Sequence, residues 1–146
     1  MFTDMVGSTT AAQVDEAGAL KLIQVQEELL RPRFEAHQGR VVKSLGDGFL
    51  VVFDSALHAV QCALDVQQSI HDRNALKGTT PILLRVGVHL GDLEERDSDV
   101  FGDSVNIASR IEPLADPGGI CITEPVFGQV RNKVANDFEK LEPHPL

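Results

Sequence analysis

Apolar residues along this chain follow two rhythms. Short apolar runs bounded by Gly, Pro and Asp alternate with longer stretches in which apolar residues return every three or four positions. The first pattern fits strands and the second fits amphipathic helices. Phe2-Thr3-Asp4-Met5-Val6 reads as the last part of a strand. Ser8, Thr9 and Thr10 can cap a helix that runs to about residue 35, with Leu20, Ile23, Glu27 and Leu30 marking its faces and Pro32 near its end. Residues 41–45 and 49–53 are strand-like runs joined by Gly46-Asp47-Gly48, the pattern of a tight β-hairpin. From Ser55 to about residue 73 the helical period returns through Ala56, Val60, Ala63, Leu64 and Ile70, with Gln67 as the one polar break. Residues 83–89 form another strand. Asp103 can cap a helix from Ser104 to about residue 112, closed by Pro113. Ile120-Cys121-Ile122 is a short strand after the turn Pro117-Gly118-Gly119, and a last helix spans Glu124 to about residue 134.

The order β-α-β-β-α-β-α-β-α predicts an α+β fold. Its core is a ferredoxin-like βαββαβ unit, a mostly antiparallel sheet with helices packed on one face. The 146 residues suit a single domain, and no repeat, low-complexity tract or linker divides them. With 42% apolar and 24% charged residues the composition is that of a globular protein. No apolar run approaches the roughly 20 residues of a membrane span, and the first residues lack a signal-peptide pattern.

Charge and cysteine content narrow the function. A net charge of −9 is the wrong sign for a reader of the nucleic-acid backbone, so no nucleic-acid partner is expected. An acidic chain that handles an anionic ligand must recruit cations or focus its few basic side chains at one place. Two cysteines are too few for a disulfide framework or a Cys-based zinc site. Cys62 and Cys121 fit small buried apolar positions, consistent with a reducing, cytoplasmic setting. Without Trp or Tyr, a row of aromatics for base stacking is absent.

Three groups of residues could carry chemistry. Asp4 ends an apolar strand and Asp47 sits at a hairpin tip. In a βαββαβ sheet those elements are neighbours, so the two carboxylates can converge on a hard divalent cation. Asp47 is equally a good turn residue, and Asp4 a good loop residue. Val6-Gly7-Ser8 joins a strand to the expected helix start, where free N–H groups can cradle a phosphate or simply be capped. Asn106 and Arg110 are four apart and share a helix face. Together they can grip a sugar and an anionic oxygen, or merely face solvent.

Four blocks then occur in a fixed order. They are Phe-Thr-Asp-Met-Val-Gly-Ser at 2–8, Lys-Ser-Leu-Gly-Asp-Gly at 43–48, Arg-Val-Gly-Val-His-Leu-Gly at 85–91, and Phe-Gly-Asp-Ser-Val-Asn-Ile-Ala-Ser-Arg at 101–110. This sequence resembles the catalytic domain of class III nucleotidyl cyclases, the adenylyl/guanylyl cyclase family, from residue 2 to about residue 127. The resemblance implies that Asp4 and Asp47 bind two Mg²⁺ or Mn²⁺ ions, with Met5 beside them. It places Val6, Gly7 and Ser8 at the substrate. Lys43 and Asp99 match the purine-selecting pair of adenylyl cyclases, where guanylyl cyclases generally carry a Glu in the place of Lys43. Asn106 and Arg110 match the residues that hold the ribose and stabilise the transition state. The implied activity is conversion of ATP to cyclic AMP and pyrophosphate. The implied assembly is a homodimer whose sites each draw the metal aspartates from one subunit and the other residues from its partner. The alternatives are a guanylyl cyclase, or a non-catalytic signalling module that binds nucleotide and dimerises.

The chain departs from that family in three ways. Asp92 stands where an Arg that serves the triphosphate is common. The connection from there to Asp99 is short. The family's C-terminal strand and a triphosphate-contacting lysine are expected past Leu146, and the first strand is clipped, so the sequence reads as a fragment of a larger protein. Other polar residues read as structural. His89 is expected to be a structural histidine; His37, His58, His71 and His144 to face solvent; Asp103 to be a helix cap; and Glu94-Glu95-Arg96-Asp97 to be a solvated loop.

Overall fold

The computed structural model describes residues 1–7, 13–97 and 99–143. In chain order the elements are β1 (Phe2–Met5), α1 (Glu16–Ala36), β2 (Arg40–Ser44), β3 (Gly48–Val52), α2 (Ala56–Asn74), β4 (Leu84–Val88), β5 (Glu94–Arg96), β6 (Asp99–Phe101), α3 (Asp103–Ile111), a 3₁₀ turn (Glu112–Leu114), β7 (Ile120–Ile122) and α4 (Glu124–Val130). Five strands make one sheet in the order β2-β3-β1-β4-β7. The pairs β2–β3, β3–β1 and β1–β4 are antiparallel, and β4–β7 is parallel. The first four strands with α1 and α2 are the expected βαββαβ core.

Alternation along the strands sets the two faces of the sheet. Phe49 and Val51 of β3, and Leu84, Val86 and Val88 of β4, point to one face. There they meet Leu30 and Phe34 of α1 and Val60, Ala63, Val66 and Ile70 of α2. The Phe34 and Phe49 rings cross edge to face at 5.3 Å. Gln67, the polar break in the α2 pattern, has a structural task. Its amide donates to the Leu84 carbonyl at 3.0 Å and the Gly119 carbonyl at 2.8 Å, tying α2 to β4 and to the turn before β7. Asp65 of α2 accepts from Arg33 at 3.1 Å and pairs with His37 at 3.0 Å, which joins α1 to α2. His37 is therefore half-buried and paired, where a solvent-facing role was expected. His89 lies 2.8 Å from Thr123 Oγ1, a structural contact as expected.

The opposite face carries Asp4, Arg85 and Gly87 on β1 and β4. It is not left bare. A Cβ added to Gly87 would lie 2.8 Å from the Glu112 backbone, so α3 and the 3₁₀ turn press against this side. Helices thus cover both faces, where the sequence pattern placed them on one.

Local corrections have clear causes. The cap of α1 is Asp15, whose Oδ1 accepts from Gly18 N–H at 3.1 Å, and the expected caps at residues 8–10 lie outside the described residues. The helix continues through Pro32 to Ala36. Asp103 is the first residue of α3 and Gly102 is its cap, so Asp103 acts through its charge near the helix N-terminus. Residues 94–96 and 99–101 form a two-stranded antiparallel ribbon, with Glu95 opposite Val100, in place of the expected loop. Glu94, Glu95 and Arg96 are all exposed, so no alternation betrayed the strand. α4 ends at Val130, short of the expected position. Among the described residues no helix is long and apolar enough to cross a membrane.

Candidate active site

The β1 strand places Asp4 opposite Gly48 on one side and Arg85 on the other. Its approach to β3 depends on the hairpin turn. Gly46 has φ +81°, a conformation that side chains with a Cβ rarely adopt. A Cβ on Gly48 would sit 2.0 Å from the Thr3 carbonyl oxygen. Only glycine lets β3 lie this close to β1. Met5 N–H then donates to the Asp47 carbonyl at 3.1 Å. The result sets the Asp47 carboxyl in hydrogen-bond contact with Asp4.

Burial, and then the facing Asp47 carboxylate, push Asp4 up to about 6, against the pull of Arg85 and a hydrogen bond from Glu112. Glu112, 8% exposed in the 3₁₀ turn, is pushed up to about 7 by burial and by Asp4. This is a crowded, hydrogen-bonded group of acids, with Arg85 as its cation. Two hard oxygen donors that repel one another suit a divalent cation. Asp4 and Asp47 would hold it. Among the described residues no cluster of three or more His, Cys, Asp or Glu side chains is arranged for a metal, so water and substrate oxygens would complete the shell, as magnesium sites commonly allow.

This arrangement predicts a pH and metal dependence of stability. Both acids hold their protons in the folded chain well above their ordinary values of 3.8 and 4.5. Between those values and about pH 6 to 7, the folded chain keeps protons that the unfolded chain has released. The stability these two acids contribute to the metal-free protein therefore falls as pH rises through that window, while the buried Met1 amino group and His89, both pushed down by burial, act in the opposite direction. Thermal melts in EDTA on the unaltered chain and on Asp4→Asn isolate the acids: from pH 5 to pH 8 the midpoint of the unaltered chain is expected to move downward relative to that of the variant. Added Mn²⁺ is expected to raise the midpoint at pH 8 and to do little at pH 5. The same pH dependence in the unaltered chain and in Asp4→Asn, or no response of the unaltered chain to Mn²⁺ at pH 8, would contradict the site.

Lys43 and Asp99 also meet. Lys43 Nζ lies 3.0 Å from Asp99 Oδ2, between β2 and β6. Val100 N–H donates to Asp99 Oδ1 at 2.8 Å. The bond from Lys43 and then that backbone bond hold the Asp99 carboxyl below its usual range. Asn106 and Arg110 stand one turn apart on the exposed surface of α3. The structure thus joins the two aspartates and joins Lys43 to Asp99, and leaves Asn106 and Arg110 open to solvent.

The expected phosphate turn fits less well. Gly7 has φ +76°, but Val6 N–H is taken by the Leu83 carbonyl at 2.8 Å, and Ser8 lies outside the described residues. The Met5 side chain is buried at 7% exposure, so any part in metal binding falls to its backbone carbonyl. Asp92 is exposed. Sequence reading missed Glu112 and Arg85. Arg85 was detectable as the polar position between Leu84 and Val86. Nothing local marks Glu112, which is buried only because the 3₁₀ turn folds over Gly87.

Comparison with known proteins gives the family of the chain. The sequence pattern of the family described as the adenylate and guanylate cyclase catalytic domain matches residues 1–143, and the chain belongs to that family. A Rhizobium meliloti protein named "Putative adenylate cyclase 3" is 45% identical over 137 residues, covering 92% of this chain and 23% of that protein. An adenylate cyclase of Streptomyces coelicolor is 34% identical over 123 residues, covering 83% of this chain and 31% of that protein. The crystal structure of an adenylate/guanylate cyclase/hydrolase from Silicibacter pomeroyi superposes with a TM-score of 0.84 at 34% identity, covering 95% of this chain and 82% of that one. The chain spans less than a third of the length of both curated relatives.

Proposed function

We propose that this chain is an adenylyl cyclase catalytic domain that converts ATP to 3′,5′-cyclic AMP and pyrophosphate. The observation that carries the reading is the Lys43–Asp99 pair, a donor and an acceptor 3.0 Å apart at one edge of the molecule. Lys43 donates to N1 of adenine and Asp99 accepts from the exocyclic amine. Guanine has the opposite polarity at both atoms and would leave desolvated groups unpaired, at on the order of 1–3 kcal/mol each.

The remaining roles follow from chemistry and position. Asp4 and Asp47, with the Met5 carbonyl, hold two Mg²⁺ or Mn²⁺ ions. When bound, the metals supply Lewis acidity for the ribose 3′-hydroxyl and charge neutralisation for the phosphates. Asn106 orients the ribose. Arg110 meets the charge that builds on the α-phosphoryl group. Gly7 and Ser8 offer N–H groups to the phosphates, while Val6 serves by shape. Each chain carries both sets of residues, so a homodimer forms two equal sites. The exposure of Asn106 and Arg110 supports a partner chain completing their half of the site. The setting proposed is the cytoplasm, where ATP is available and free cysteines persist.

Turnover of ATP with Mn²⁺, read as cyclic AMP, tests the activity. Lys43→Glu then tests base choice. A carboxylate facing N1 of adenine is expected to lower the ratio of kcat/KM for ATP over GTP by roughly tenfold or more. A general loss of rate with an unchanged ratio would remove Lys43 from the base, and cyclic GMP as the main product of the unaltered protein would reverse the assignment.

A further inference from the structure

We propose that Arg40 and Glu95 form a positioning pair for base recognition, locking the β5–β6 ribbon against β2 so that Asp99 meets Lys43. The inference rests on the reading of Lys43 and Asp99 as the base-selecting pair.

The geometry begins in β2. Arg40 lies opposite Val52, Val41 opposite Val51, Lys43 opposite Leu50 and Ser44 opposite Phe49. Val42 is therefore an extra residue, a β-bulge. In an unbroken ladder, Lys43 would sit opposite Phe49, whose side chain points into the core. The bulge shifts it to the position opposite Leu50. Val52 and Leu50 are two residues apart and share a face. Arg40 and Lys43 thereby come to the same side of the sheet, although three residues separate them.

That side is where the ribbon lies. Arg40 is ion-paired with Glu95 of β5, and Lys43 with Asp99 of β6. Glu95 is directly opposite Val100, next to Asp99, in the ribbon register. The two ion pairs act as paired clasps between one strand and one two-stranded ribbon. A ribbon of three residues per strand has little stability of its own. Its placement depends on the burial of Val100 and on such contacts. The side chains of Arg40 and Glu95 are 54% and 52% exposed, so the pair adds little to global stability. Its effect falls on where Asp99 stands. When a base separates Lys43 from Asp99, the Arg40–Glu95 pair still joins the ribbon to β2.

The test uses Arg40→Glu, Glu95→Arg and the exchanged double variant in the full chain, with Lys43→Glu in parallel. The readout is the ratio of kcat/KM for ATP over GTP. Competition of ATP against GTP for a bound fluorescent nucleotide gives the same comparison for slow variants. At low ionic strength each single reversal is expected to lower the ratio roughly two- to five-fold, with the melting midpoint unchanged. The double variant is expected to restore it, and high salt to shrink every difference. A ratio unmoved by both single reversals, or a drop that the double variant fails to restore, overturns the inference. If Lys43→Glu moves the ratio and the Arg40 and Glu95 reversals do not, only this inference falls. If Lys43→Glu leaves it unmoved, the base-selecting reading falls and takes the inference with it.

Discussion

Asp47→Asn and Asp4→Asn are each expected to lower cyclic AMP production by roughly 10³-fold or more, with the fold intact. The loss corresponds to about 4 kcal/mol of transition-state stabilisation. A neutral amide is a poor ligand for a hard divalent cation and removes the charge that draws it in. The fold should tolerate the change for a specific reason. The hydrogen bond that fixes the turn uses the Asp47 backbone carbonyl, which the substitution keeps. The Asp4 carboxyl resists ionisation because it is buried beside Asp47. Asparagine at position 4 is therefore expected to leave the metal-free melting midpoint at pH 8 unchanged or raised. Cyclic AMP formation and the midpoint should be measured on the same samples. Substantial turnover in either variant would sink the two-metal reading. So would a loss of activity matched by a collapse of the midpoint at both positions, since the aspartates would then be serving the fold.

The second large effect is expected on mixing two inactive proteins. Asp47→Ala removes the metal half of a site, and Arg110→Ala removes the transition-state half. Each homodimer should be inactive. A mixed dimer holds one site with both halves intact and one with both altered. Activity should return to about a quarter of the unaltered level, because half of randomly paired dimers are mixed and each has one good site. The geometry motivates this experiment, since Arg110 is exposed on α3 whereas the Asp4–Asp47 pair is partly enclosed. Heterodimers should be verified by co-purification of differently tagged chains. Verified heterodimers with no recovered activity would mean that each chain builds its own site.

The fold and the candidate site differ in how much the sequence disclosed. The hairpin was legible because Gly46-Asp47-Gly48 is a local turn signal between two strand-like runs. α2 was legible because its period is long and Ser55 caps it, accepting from His58 N–H at 3.3 Å. The β5–β6 ribbon was not, because Glu94, Glu95 and Arg96 of β5 are all exposed, so no burial imposes alternation on that strand. Asp15, the cap of α1, was not singled out because several Ser and Thr residues precede the helix and propensity alone does not rank Asp15 against them.

Sequence by itself determined which residues could carry the chemistry. Acids at a strand end and a hairpin tip, and Asn106 and Arg110 on one helix face, are properties of residue type and short-range spacing, whereas Lys43 and Asp99 were singled out only by the family resemblance. Tertiary structure decided what these groups do to one another. Asp4 and Asp47 repel because Gly48 lets two strands approach closely, which shows only when the Thr3 carbonyl is in place. Glu112 joins them because a 3₁₀ turn folds over Gly87, a contact between residues distant in the chain. Lys43 reaches Asp99 because a single extra residue in β2 moves it off the core face, and a bulge exists only relative to the partner strand. Periodicity reports the environment of one segment. The strength and direction of a charge interaction depend on distance and burial between segments, which no local pattern encodes.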